Sequence, residues 1–288
     1  QADRGNAKTR AVDVSGGDGA ATMFSQNVNN KYYITNYVYN RAVEAVNLNG
    51  DTSRTWRLNS EGSTNGDFIT VQDLDSNRGV VYSNYRSGGT NRIIAYHSWD
   101  DFEDADRNTN APNIIMTGSL DGNVSAIKVS PFTTDSSTIF VGTESGSVFK
   151  VTNADTADAN DNSTANWSNI TGSQFLGSVS DIEFGKDENH IFVTFHNYGV
   201  ENIFYSEDGG QSWTEKEGNL PDIPVRCILQ NPLSLNEVII GTELGVWYTK
   251  NFESDNPDWS RANSGMSDVR ITDLDMRDDY KVFAATYG

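Results

Sequence analysis

Carboxylates and tyrosines are the residues of this chain whose spacing could do chemistry. The run Trp99-Asp100-Asp101-Phe102-Glu103-Asp104-Ala105-Asp106 gathers five carboxylates. Ca2+ takes about six to eight oxygen ligands, so Asp100, Asp101, Asp104 and Asp106 are candidate calcium ligands. The run lacks the glycine-containing ligand spacing of an EF-hand loop, and a solvated acidic loop is the simpler account of it. Asp18, in Ser15-Gly16-Gly17-Asp18-Gly19, is a candidate catalytic carboxylate, although Gly-Gly-Asp-Gly is turn chemistry first. Tyr33, Tyr37 and Tyr39 share parity, and in a strand they would face one way, which suits stacking on a sugar as well as packing between sheets. His97, His190 and His196 are scattered, and there is no P-loop, GxGxxG or Ser/His/Asp order. Beyond the Ca2+ candidates, no cofactor is expected.

The elements that must position these residues repeat. Trp167, Trp213 and Trp259 stand in similar local frames at a constant spacing of 46 residues, and Trp56 sits in a comparable strand-like run. A period of about 40 to 50 residues, filled with short β-branched and aromatic runs and broken by Gly, Asn and Asp, is what a propeller blade of four antiparallel strands requires. Equivalent first strands are expected at 124–129, 179–184, 225–229 and 269–274. Two blades share an exit, Gly142-Thr143-Glu144-Ser145-Gly146 and Gly241-Thr242-Glu243-Leu244-Gly245, which reads as strand, tight turn, third strand. The fold class is therefore an all-β propeller of four-stranded antiparallel blades, spanning 1–288. Blades fall near 20–62, 63–122, 123–177, 178–223, 224–267 and an incomplete 268–288, so about six or seven are expected in all. An interrupted last blade would expose a strand edge, which suggests a segment of a longer chain or of a complex.

Composition excludes several classes. The formal charge is −19, from 40 acidic against 21 basic residues. Phosphate contacts need clustered Lys and Arg, so nucleic acid is not an expected partner. No apolar run is long enough for a transmembrane helix. A single cysteine, Cys227, permits no internal disulfide and reads as a buried strand residue.

One stretch is more specific. Ser206-Glu207-Asp208-Gly209-Gly210-Gln211-Ser212-Trp213 follows the strand-like Asn202-Ile203-Phe204-Tyr205. Ser206 and Asp208 can bond local backbone N–H groups, Gly210 can take a positive φ, and Trp213 can close over the turn. This stretch resembles the Asp-box, or BNR repeat, of sialidase-like, sortilin-like and xyloglucanase-like propellers. The resemblance implies an extracellular or cell-surface protein of bacterial type, and fold more than activity. The expected function is a non-catalytic module that binds or adheres to a glycan or a protein partner. Two alternatives are a glycoside hydrolase of the xyloglucanase-like kind, with two carboxylates across a groove, and a structural subunit of an envelope or secretion complex.

Overall fold

The computed structural model describes residues 19–48, 55–59, 65–97, 113–116, 118, 120–156, 165–262, 265 and 268–287. Their strands are β1 (Gly19–Phe24), β2 (Tyr32–Tyr37), β3 (Arg41–Asn47) and β4 (Thr55–Arg57), then β5 (Gln72–Asp75), β6 (Val80–Ser87), β7 (Thr90–Tyr96) and β8 (Asn113–Met116). The third group is β9 (Val124–Val129), β10 (Ile139–Thr143), β11 (Val148–Thr152) and β12 (Asn166–Asn169). The fourth is β13 (Val179–Phe184), β14 (Ile191–Phe195), β15 (Ile203–Ser206) and β16 (Thr214–Glu215). The fifth is β17 (Val225–Gln230), β18 (Val238–Thr242), β19 (Gly245–Thr249) and β20 (Ser260–Arg261), and β21 (Arg270–Met276) and β22 (Val282–Tyr287) end the chain.

Each group is one antiparallel meander, and the first strands β1, β5, β9, β13, β17 and β21 lie side by side in that order. This is a β-propeller, with the first strand of each blade innermost. The blade count differs from expectation. The described residues form five four-stranded sheets and one two-stranded sheet, not six or seven blades of four strands. The reason is at the end of the chain, where β22 pairs with β21 and no other described strand pairs with β22. Every residue of β22 is exposed, whereas β10 and β14, the equivalent second strands, are buried throughout.

The second strands are continuous β-branched and aromatic runs because neighbouring blades cover both of their faces. Phe140, Val148, Phe175, Val179, Ile182 and Phe195 share one such inter-blade core. Close approach between blades depends on a glycine. At Gly241 an added Cβ would stand 2.5 Å from both Cys227 Sγ and Ile271 Cγ2, and Gly142 meets Val179 in the same way. Overpacking of this kind costs about 1–3 kcal/mol. Gly241→Ala is therefore expected to lower the thermal midpoint by several degrees in a calorimetric scan. An unchanged midpoint would mean that the blades do not meet at this glycine. No helix of the described residues is long and apolar enough to cross a membrane.

Candidate functional site

Asp18 and the acidic run Asp100, Asp101, Asp104 and Asp106 lie outside the described residues, as does the side chain of Trp56, whose backbone is in β4. Trp167 is in β12, while Trp213 and Trp259 stand immediately before β16 and β20. The 46-residue period is thus the return of the chain to the outermost strand of a blade. The indole of Trp213 donates to the Ile170 carbonyl (2.8 Å) and that of Trp259 to the Lys216 carbonyl (3.1 Å), so each closes over the preceding inter-blade loop.

The hairpin at 206–213 is held as its residue types require. Ser206 Oγ accepts from Gly210 N (2.8 Å), and the Asp208 carboxylate accepts from Ser212 N (2.9 Å) and Ser212 Oγ (2.6 Å). These bonds, the Ser212 hydroxyl first, hold the Asp208 carboxyl down at about 2. Gly210 has φ +89°, and a Cβ there would strike Ile170 at 2.8 Å. The hairpin joins the third and fourth strands of its blade, at the periphery and away from the inner strands. It organises the blade.

The tyrosines divide. Tyr33 is buried and packs against Phe24 (ring centroids 5.9 Å apart), and Tyr37 ends β2 half-buried. At Val38 the chain leaves the strand in a short 3-10 turn, so Tyr39 does not continue their face. Tyr39 has φ +62° and ψ +28°, and Asn40 has φ +61°. Two consecutive left-handed residues, neither of them glycine, cost roughly 1–2 kcal/mol each and need outside support. The fully buried Asn40 supplies it. Its N–H donates to Thr70 Oγ1 (3.0 Å), its Oδ1 accepts from Gln72 Nε2 (3.0 Å), and its carbonyl accepts from Asn59 Nδ2 (2.6 Å). Tyr39 itself is tied by N–H to the Asp67 carbonyl (3.2 Å), and its carbonyl accepts from Gly66 N (3.3 Å). The strained turn holds the Tyr39 ring edge-on to Phe68 at 5.4 Å, with the Arg41 guanidinium 5.3 Å over the Tyr39 ring. Phe68 is 54% exposed and Tyr39 38%.

This turn joins a second strand to a third, so it lies at the end of the propeller where the inner strands begin. The same entrance face carries a pocket of about 410 Å³ lined by Glu201, Glu215, Glu217, Leu220 and Asp222. One oxygen from each of the three glutamates lies within 4.8 Å of the others, a set that could hold a cation. Glu217 is buried, and burial first, then the neighbouring Glu201, pushes its carboxyl up to about 8. Asn202 N donates to it at 2.6 Å. Burial thus favours the neutral form of the Glu217 carboxyl.

A second charged group lies between the inner strands. Asp73 in β5, Lys128 in β9, Asp181 and Glu183 in β13 and Asp273 in β21 act on one another's charge from four different blades. Lys128 Nζ stands 2.5 Å from Glu183 Oε2. Burial alone would depress this ammonium, but Glu183, Asp73 and Asp181 outweigh it and raise it. Burial, then the charge of Glu183, pushes the Asp181 carboxyl up to about 7, and burial raises Asp73 as well. Asp73 and Asp181 also accept backbone N–H bonds from the next inner strand, Val129 N at 2.7 Å and Ile228 N at 3.0 Å. They bind blade to blade while lining the centre.

Against known proteins, no family model matches the chain and no curated protein matches it. Solved structures do. A GH74 enzyme of Niastella koreensis superposes with a TM-score of 0.58 at 14% identity, over 89% of this chain and 38% of its own. The GH74 xyloglucanase of Xanthomonas campestris gives 0.56 at 10% identity, over 85% of this chain and 38% of its own. The chain shares the propeller fold of these GH74 enzymes. At these identities the likeness shows the fold alone, and the chain spans well under half the length of either enzyme.

Sequence reasoning had no hold on Phe68, Asn40, the three pocket glutamates or Lys128, which come together only through the fold. Besides Tyr39, the repeated Gly-Thr-Glu exit was a visible trace of the entrance face, because Glu144 and Glu243 both stand on it.

Proposed function

We propose that this chain is a glycan-binding β-propeller module of an extracellular or cell-surface protein, acting without catalysis and docking sugar on its entrance face. The observation that carries this reading is the strained turn. A backbone held in a costly conformation by a buried network, and presenting Tyr39 against Phe68, is what a rigid stacking surface requires. The xyloglucanase activity of the Xanthomonas campestris structural neighbour favours a sugar as the ligand.

A glycan microarray probed with the purified chain tests this directly. Binding is expected to a restricted set of glycans and to fall at least tenfold for Phe68→Ala. Retention of every bound glycan by that variant would remove the platform from the account. The hydrolase alternative draws on the activity of the structural neighbours and on the raised carboxyl of the buried Glu217. Hydrolysis needs carboxyl groups about 5 Å or more apart, with the glycosidic oxygen or a water between them. Oxygens of Glu217 and Glu201 instead lie within 4.8 Å of each other, which favours the non-catalytic reading. Release of reducing ends from xyloglucan by the wild-type chain and not by Glu217→Gln would reverse that preference.

A further inference from the structure

The repeated Gly-Thr-Glu turn contains its own control. In the third blade, Glu144 donates its N–H to the Asn123 carbonyl (2.9 Å) and accepts from Asn123 Nδ2 (2.9 Å), so one neutral side chain satisfies the turn. In the fifth blade, Glu243 has the same backbone setting, its N–H reaching the Pro224 carbonyl (3.3 Å). Its carboxylate, however, gathers two guanidiniums and an imidazole. Arg226 reaches Oε1 through Nε (2.7 Å) and Nη2 (2.6 Å), His196 Nε2 is 2.7 Å from the same oxygen, and Arg270 Nε reaches Oε2 at 2.7 Å. The turn does not need this charge, and one carboxylate does not balance it.

The arrangement is built by the fold. The inner strands carry a bulge near their start, and Arg226 is the extra residue between Val225 and Cys227, which re-aims its side chain from the ladder. Arg270 opens the next inner strand, and His196 follows β14. All three lie on the entrance face. Arg270 is 44% exposed and uses Nε for Glu243, which leaves its terminal amino groups within reach of solvent. Its guanidinium lies 5.4 Å over the ring of Tyr287, itself 71% exposed, and Tyr198 is exposed two residues beyond His196. Burial opposes ionisation of Glu243, but His196, Arg226 and Arg270 hold it down at about 2, so this carboxylate stays charged and keeps both guanidiniums oriented.

We infer that Arg226, Arg270 and His196, oriented by Glu243, form a binding site for an oxyanion carried on a sugar, a uronate carboxylate or a sulfate ester, with Tyr287 and Tyr198 beside it for the ring. The inference rests on the glycan reading for the ligand being a sugar and adds that the sugar is acidic. In a chain of net charge −19 such a cationic spot also discriminates, since an acidic glycan is repelled elsewhere.

The test is a titration of the wild-type chain with sodium glucuronate, glucose 6-sulfate and glucose at matched ionic strength, followed by the 15N signals of the arginine Nε–H groups and by calorimetry. The Arg226 and Arg270 signals are expected to move with one or both anions and not with glucose. Arg270→Gln is expected to weaken the anion at least tenfold, and Glu144→Gln, on the equivalent turn of the third blade, to change nothing. Response to glucuronate alone assigns a carboxylate, to the 6-sulfate alone a sulfate ester, and to both a general oxyanion site. Absence of response to either anion, or equal binding by Arg270→Gln, overturns the site. Because the wild-type signals are read directly, a variant that fails to fold does not blur the answer. If neutral xyloglucan binds while both anions fail, this inference falls and the glycan reading stands. If the anions bind and no polysaccharide does, the site stands and the Tyr39 platform falls.

Discussion

Lys128→Met is expected to destabilise the propeller by about 3 kcal/mol at pH 8, and by much less at pH 5. Removing one partner of a buried ion pair costs about 3–5 kcal/mol, because the surviving charge is left without compensation. The lower end applies here, since the Lys128 side chain is 31% exposed. The pH dependence follows from the direction of the carboxyl shifts. Asp181 is raised from the usual aspartate value to about 7, so its contribution to stability is fully present below its unfolded value near 4 and is lost as pH rises through 7. Without the ammonium, Asp73 and Asp181 are driven further up, and protonation at pH 5 removes the repulsion that destabilises the variant at pH 8. Denaturant titration at the two pH values measures this. An equal loss at both would show that Lys128 acts by packing its methylenes and not by charge.

Tyr39 gives the second large effect, and its sign is unusual. Tyr39→Gly is expected to leave the fold as stable as the wild type, or up to about 1 kcal/mol more so, because glycine accepts φ +62° without the steric cost that tyrosine bears there. Glycan affinity is nevertheless expected to fall about 30-fold, the equivalent of about 2 kcal/mol for a tyrosine anchor. A core residue would show the reverse pairing, with stability lost and affinity following it. Thermal midpoint and dissociation constant measured on the same preparation separate the two. A Tyr39→Gly variant that is clearly less stable would mean that the Phe68 and Arg41 contacts hold the turn and that the strain serves the fold.

The frame of the molecule could be read from the chain because blade geometry repeats in sequence. Trp167, Trp213 and Trp259 keep a constant interval because each begins an outermost strand, and for Trp213 and Trp259 the indole reaches a carbonyl 43 residues earlier. The expected first strands coincide with β9, β13, β17 and β21 to within two residues at their ends. The number of blades could not be read, because nothing local to Val282–Tyr287 states whether a third strand pairs with it.

The entrance face was hidden for a different reason. Val38-Tyr39-Asn40 contains no glycine to announce a left-handed turn, and the support for it comes from Gln72, Thr70 and Asn59, which belong to other strands and loops. Parity placed Tyr39 with Tyr33 because parity assumes that the strand continues. The central charges were equally silent, since Asp181 and Asp273 become equivalent only after the inner-strand bulges are put in register.

The most direct test of the account is the affinity of the wild-type chain and of Tyr39→Gly for soluble xyloglucan, measured by calorimetry, with the arms repeated on an acidic polysaccharide. The account predicts saturable binding to at least one of the two by the wild type, with an affinity about 30-fold weaker for the equally stable variant. Binding of the same strength by both proteins, or by neither on any polysaccharide of a broad panel, would contradict it.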